Sequence, residues 1–202
     1  MALAQAFLDA NPEDGDHNQY WYSKITMDRM IQDQVEQHTA AGSPEGGLVI
    51  AFLSTPSLYF TLPEEIRLNS YCFDFDQGPN KIWEADRGYV FYDFNKPTEL
   101  PEHLLGKCDM VVIDPPFIVS EVWMKYAETS KLLLKEGKDD KGVPLGKAVM
   151  TTVIENAVLL KEQLGGEPTA FQPSIPNLVY QYNLFTNYPS MTYSTINPEI
   201  PQ

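Results

Sequence analysis

The sequence predicts a doubly wound α/β domain whose seven-stranded, mostly parallel sheet closes on an antiparallel C-terminal hairpin. Three observations carry that expectation. Five short apolar runs do not alternate with polar residues, as in strands buried on both faces of a parallel sheet. Helical segments fall between them in a β-α-β-α order, and right-handed crossovers of this kind cover both faces of a sheet. Three of the five runs close on an aspartate, which gathers carboxylates at the edge where open α/β sheets bind ligands.

In chain order, residues 1–18 are acidic, lose periodicity after the first ten positions and read as a mobile arm outside the core. Apolar residues at Ile25, Met27, Met30, Ile31 and Val35 predict an amphipathic helix from Lys24 to about Ala40, with Ser23 or Thr26 as its cap and Gly42 as its stop. The Gly-Ser-Pro-Glu-Gly-Gly turn at 42–47 leads into the first strand, Leu48 to Leu53. Further strands are expected over Ser70 to Asp76, Tyr89 to Asp93, Met110 to Asp114 and Ala148 to Thr152. Helices fit after Thr55-Pro56, around Pro101 to Leu105, from Glu121 to Leu134 and from Ile154 to Leu164, while the polar stretch Glu136 to Lys147 reads as an exposed insertion. Thr169 to Gln172 and Leu178 to Phe185 predict the closing hairpin. Residues 19–188 then form one domain and 189–202, with three prolines, a tail.

The 202 residues, 43% of them apolar and 21% charged, suffice for a core without staples. Cys72 and Cys108 have no metal or redox spacing, and no metal site is expected. His17, His38 and His103 form no triad or ligand pattern with a spaced partner. Fourteen basic against 28 acidic residues give a net charge of −14, the wrong sign for gripping nucleic-acid phosphates and compatible with a basic partner or with a solubility role. No run approaches the roughly 18 apolar residues of a membrane span, and the N-terminal stretch lacks a basic flank, so a soluble cytoplasmic protein is expected.

The strongest local signal is Val111-Val112-Ile113-Asp114-Pro115-Pro116-Phe117, a buried strand ending in Asp, two prolines and an aromatic ring. The prolines fix their φ angles and donate no backbone hydrogen bonds, so the chain is held extended just beyond the sheet. The Asp114 carboxylate and Pro115 carbonyl are then free to accept the hydrogens of one amino group beside the face of Phe117. Such a holder suits in-line methyl transfer to nitrogen, with the ring favouring a cationic sulfonium donor. A strand-terminating turn with a core Phe is the structural alternative.

Asp114-Pro115-Pro116-Phe117 matches the motif of amino-group methyltransferases that use S-adenosylmethionine, among them DNA adenine, release-factor glutamine and protein lysine enzymes. Four further blocks narrow the match: Gln19-Tyr20-Trp21-Tyr22-Ser23, Ser54-Thr55-Pro56-Ser57-Leu58-Tyr59, Phe91-Tyr92-Asp93-Phe94-Asn95 with Pro97 and Leu100-Pro101-Glu102 behind it, and Glu128-Thr129. With them, from about Gln19 to Tyr188, the chain resembles the elongation factor 1-alpha lysine methyltransferase family. The resemblance implies a Rossmann-like class I methyltransferase fold, S-adenosylmethionine as cofactor and translation elongation factor 1-alpha as partner and substrate.

On that resemblance, Asp114 to Phe117 take the target amine. Ser54, Thr55, Pro56 and Ser57 occupy the loop where most methyltransferases carry a Gly-rich turn around the methionine moiety; a helix cap with Pro in the first turn reads equally from the residues. Asp74 or Asp76, on the same face after the second strand, accepts from the ribose hydroxyls, and spacing does not choose between them. Asp93 takes the adenine amino group and Phe94 packs on the ring, against the alternative of solvated strand-end acids. Trp21, Tyr22 and Ser23 fold over the cofactor as a lid or pack under the first long helix as a hydrophobic staple. Two other functions share the fold: a nucleic-acid adenine methyltransferase and a catalytically silent binding module.

Overall fold

The computed structural model describes residues 2–15, 19–41 and 47–201. Seven strands, β1 Ile50–Leu53, β2 Tyr71–Asp74, β3 Tyr89–Phe91, β4 Met110–Ile113, β5 Lys147–Thr152, β6 Glu167–Pro168 and β7 Asn183–Thr186, form one sheet in the order β3-β2-β1-β4-β5-β7-β6. β1 to β5 run parallel, and β7 turns antiparallel to β5 and to β6. The chain winds outward from β1 through β2 to β3, then returns to the other side of β1 for β4. The carboxyl ends of β1 and β4 therefore flank the point where strand order reverses, where ligands bind in open α/β sheets.

Side-chain alternation divides the core between the two sheet faces. Ile50, Phe52, Met110 and Val112 face one side with Met27 and Met30 of helix α2, Lys24–Ala40. Ala51, Leu53, Val111 and Ile113 face the other with Trp123, Tyr126 and Leu133 of helix α5, Ser120–Leu133, and Leu160 of helix α6, Ala157–Leu164. The Ser23 hydroxyl caps α2 by accepting from the Thr26 amide at 3.1 Å. Helix α6 stops at Gly165, whose φ of +72° a residue with a side chain rarely adopts. Two short helices, α3 Pro56–Tyr59 and α4 Glu64–Arg67, lie between β1 and β2, and the second is not signalled in the sequence.

Three expectations need correction. The stretch read as an arm contains helix α1, Ala2–Ala10, whose Ala4 and Phe7 are buried; Phe7 meets Trp21 edge-on at 5.3 Å and joins the core of the first face. The stretch read as a tail is packed on α2: Thr192, Tyr193 and Asn197 are buried, and Arg29 donates to the Thr192 carbonyl at 3.0 Å and the Thr195 hydroxyl at 2.9 Å. The hairpin strand expected at Thr169 to Gln172 is instead the two-residue β6, because Glu167 and Pro168 pair with Thr186 and Phe185. The turn expected over 42–47, with the helix stop at Gly42, lies outside the described residues apart from Gly47.

Candidate active site

A cleft of about 290 Å³ opens at the carboxyl edge of the sheet. Its lining comes from the residues that close or follow β1, β2, β3 and β4, from Tyr126 of α5, from residues 19–21, and from Ile175, Leu178 and Tyr182. Asp114 leaves β4 with its amide donating to the Leu53 carbonyl at 3.2 Å, the last tie to the sheet before Pro115 and Pro116, which have no amide to donate. Its Oδ2 accepts from the Tyr22 hydroxyl at 2.6 Å. Burial pushes the Asp114 carboxyl up to about 7, against the hydrogen bond from Tyr22 and the nearby Thr151 hydroxyl, which favour the charged form.

Asp74 closes β2 and is also pushed up to about 7 by burial, while its Oδ1 accepts from the Asp76 amide at 2.9 Å. Asp76 lines the same cleft and its Oδ2 accepts from Gln19 Nε2 at 2.7 Å. Ser54 follows β1 at φ +56°, the left-handed region, where serine bears a strain that glycine would not. Its hydroxyl lies 2.6 Å from the Tyr126 hydroxyl, which anchors the strained turn to α5. The turn thus has the backbone form of a glycine corner without the glycine.

Trp21, Ser54, Pro56, Asp74, Asp76, Phe94 and the whole of Asp114 to Phe117 converge on this cleft. Thr55 and Ser57 are buried rather than on the lining, and Thr55 Oγ1 points back to the Val112 carbonyl at 3.4 Å. Asp93 is also off the lining and accepts from the Asn95 amide at 2.9 Å, as in an Asx turn. Tyr22 and Ser23 are neither lid nor simple staple: Ser23 caps α2, and Tyr22 is buried with its hydroxyl on Asp114. Trp21 forms cleft wall, its indole donating to the Asn11 carbonyl at 2.9 Å and its amide to Glu13 at 3.1 Å.

Sequence alone does not single out Phe75, Tyr126, Ile175, Leu178 or Tyr182, which also line the cleft, as do Gln19, Tyr20 and Tyr92. Tyr126 is one aromatic among many on a helical pattern, and 175–182 has no periodicity to read. Phe94 and Phe117 meet edge-on at 6.2 Å, and Phe94 packs on Tyr126 at 6.0 Å, giving the cleft an aromatic side. Among the described residues its charged lining is three aspartates, with no lysine, arginine or histidine.

Comparison with known proteins agrees with this geometry. A protein-family model described as "Probable N6-adenine methyltransferase" matches residues 13–190. EEF1A lysine methyltransferase 1 of Mus musculus is 33% identical over 179 residues, spanning 86% of this chain and 74% of its own length. The chain belongs to the EEF1A lysine methyltransferase family. Homo sapiens EEF1A lysine methyltransferase 1 is 32% identical, over 86% of this chain and 74% of its own, and the Saccharomyces cerevisiae protein-lysine N-methyltransferase EFM5 is 30% identical, over 87% and 72%. The family-model description speaks of adenine, whereas these members are named for lysine.

Two solved structures share the fold of this EEF1A lysine methyltransferase family member. The Burkholderia thailandensis 1,6-didemethyltoxoflavin-N1-methyltransferase, solved with S-adenosylhomocysteine, superposes with a TM-score of 0.53 at 15% identity, covering 91% of this chain and 85% of its own. The Thermus thermophilus branched-chain polyamine synthase gives 0.57 at 14% identity, covering 90% and 60%. The expected class I methyltransferase fold is therefore borne out.

Proposed function

We propose that the protein transfers a methyl group from S-adenosylmethionine to a lysine ε-amine of translation elongation factor 1-alpha. The observation that carries the reading is a cleft in which the Asp114-Pro115-Pro116-Phe117 turn faces aromatic rings and two further aspartates with no basic side chain among the described residues. Carboxylates and ring faces suit cations, here a sulfonium and an ammonium, and repel phosphate. The names of the family members supply the lysine and the elongation factor.

The residues present fit the cofactor. Asp74 or Asp76 would accept from the ribose hydroxyls, the Ser54 to Ser57 turn would border the methionine portion, and Phe94 would border the base. Asp93 is a weaker candidate for the adenine amino group than the sequence implies, because its carboxylate is turned to the Asn95 amide. When bound, S-adenosylmethionine supplies an electrophilic methyl carbon on a cationic sulfur.

The chain's own residues do the rest. Asp114 attracts the incoming ammonium, and its Oδ1 and the Pro115 carbonyl accept from the nitrogen, which orients the lone pair. Trp21, Ile175 and Leu178 give the lysine stem an apolar wall and keep water from the nitrogen. An ammonium with an ordinary pKa near 10.4 must lose a proton to solvent before it attacks; burial of the nitrogen in this partly enclosed site favours that loss, and the Asp114 carboxylate opposes it. Among the described residues no helix is long and apolar enough to cross a membrane, and the compartment of translation, the cytoplasm, is the proposed location.

The test is a labelled-methyl assay offering purified elongation factor 1-alpha, DNA and RNA to wild type and Asp114→Ala. Label on a lysine of the factor is expected with wild type, falling about 100-fold or more in the variant while cofactor affinity stays within about threefold. Label on nucleic-acid adenine would instead support the reading in the family-model description. Cofactor binding without transfer to any of the three would leave a binding module.

A further inference from the structure

Tyr22 stands immediately before α2, far in sequence from the strands of the catalytic edge, yet its ring is 2% exposed and its hydroxyl ends on the Asp114 carboxylate. The same hydroxyl lies 2.6 Å from Thr151 Oγ1 on β5, the strand beside β4, and Thr151 is itself buried. A phenol has one hydrogen. With that hydrogen on Asp114 Oδ2, the 2.6 Å contact requires Thr151 to donate to Tyr22. The ionised carboxylate thus stands at the end of a chain of donors running Thr151 to Tyr22 to Asp114.

The chain also works in reverse. Thr151 Oγ1 lies 3.4 Å from the Ile113 carbonyl, a long but available acceptor. A protonated Asp114 can donate to Tyr22, Tyr22 to Thr151 and Thr151 to that carbonyl, so neither protonation state strands a buried donor, which would cost about 1–3 kcal/mol. In both states Oδ2 is held by Tyr22, and the carboxyl group still lines the cleft. Building on the proposed amine-holding role of Asp114, we infer that Tyr22 is a positioning residue for methyl transfer, fixing Asp114 through a reversible hydroxyl chain with Thr151.

The surroundings give this chain its leverage. Asp114 faces three phenols, Tyr22 from the segment before α2, Tyr126 from α5 and Tyr182 from the segment before β7, and no basic side chain lines the cleft among the described residues. The hydrogen bond from Tyr22, with Thr151 behind it, is therefore what opposes burial and favours the charged carboxylate that an ammonium requires.

The test titrates Asp114 by carboxyl carbon NMR in the full chain without cofactor, for wild type, Tyr22→Phe, Thr151→Val and Thr151→Ser, alongside the pH dependence of kcat and cofactor affinity. Tyr22→Phe is expected to raise the Asp114 pKa by about one unit and move the acid limb of kcat equally. It should lower kcat about tenfold and leave cofactor affinity within about threefold. Thr151→Val should shift both titrations the same way but less, and Thr151→Ser should restore wild-type values. Unchanged titration and acid limb in folded Tyr22→Phe would overturn the inference, and if that variant does not fold, the Val and Ser pair at position 151 decides by the same readout. Absence of lysine transfer by wild type would sink the functional reading, whereas the Asp114 titration still decides the positioning role.

Discussion

At the scale of single residues, two buried carboxylates set the pH response. Asp114 and Asp74 are each pushed up to about 7 by burial, against an ordinary value near 3.9. On the proposed role the amine is attracted only by the ionised Asp114, so kcat/KM is expected to rise as pH rises through about 7, and a profile flat from pH 6 to 8 would contradict the assignment. Stability moves the opposite way. The folded protein holds these protons more tightly than the unfolded chain, so the contribution is full below about pH 4 and lost as pH rises through about 7. Asp74 is nearly fully buried and Asn keeps an oxygen for the Asp76 amide. Asp74→Asn should therefore stabilise the cofactor-free protein by about 2–3 kcal/mol more at pH 8 than at pH 5, in urea unfolding at the two pH values. A gap of equal size at both would mean that Asp74 is not held near 7.

At the scale of elements, the first ten residues show how contact overrides local weakness. A nine-residue helix is marginal alone, but in α1 the apolar positions Ala4, Phe7 and Leu8 share a face that meets Trp21, Phe60 and Trp83. Phe7→Ala should cost about 3 kcal/mol in thermal or urea unfolding and weaken cofactor binding as well, since Trp21 is shared between that core and the cleft wall. Loss of stability with cofactor affinity untouched would separate α1 from the site. The longer elements were legible because their signals are local: Ser23 and the spacing of Met27 and Met30 define α2, and the continuous runs define β1 and β4. The hairpin strand was displaced because a two-residue strand is defined by its pairing with Thr186 and Phe185 and has no periodicity of its own.

At the scale of the whole molecule, a net charge of −14 around a cleft lined by aspartates should speed encounter with a basic protein substrate and fade as salt screens it. KM for elongation factor 1-alpha is expected to rise about tenfold between 50 and 300 mM salt with kcat little changed, and a KM indifferent to salt would remove charge from the account. The sequence alone determined the alternation of buried strands with helices, the gathering of Asp74, Asp76 and Asp114 at one sheet edge, and the rigid Asp-Pro-Pro-Phe turn. Each depends on periodicity or on φ restriction within a few residues. Only the tertiary structure decided that Asp93 turns away, that Ser54 takes the left-handed corner, and that Tyr22, Tyr126, Thr151 and Tyr182 meet around Asp114. Those outcomes depend on which segments the winding of the chain packs together, and a buried hydroxyl takes whatever partner that packing provides.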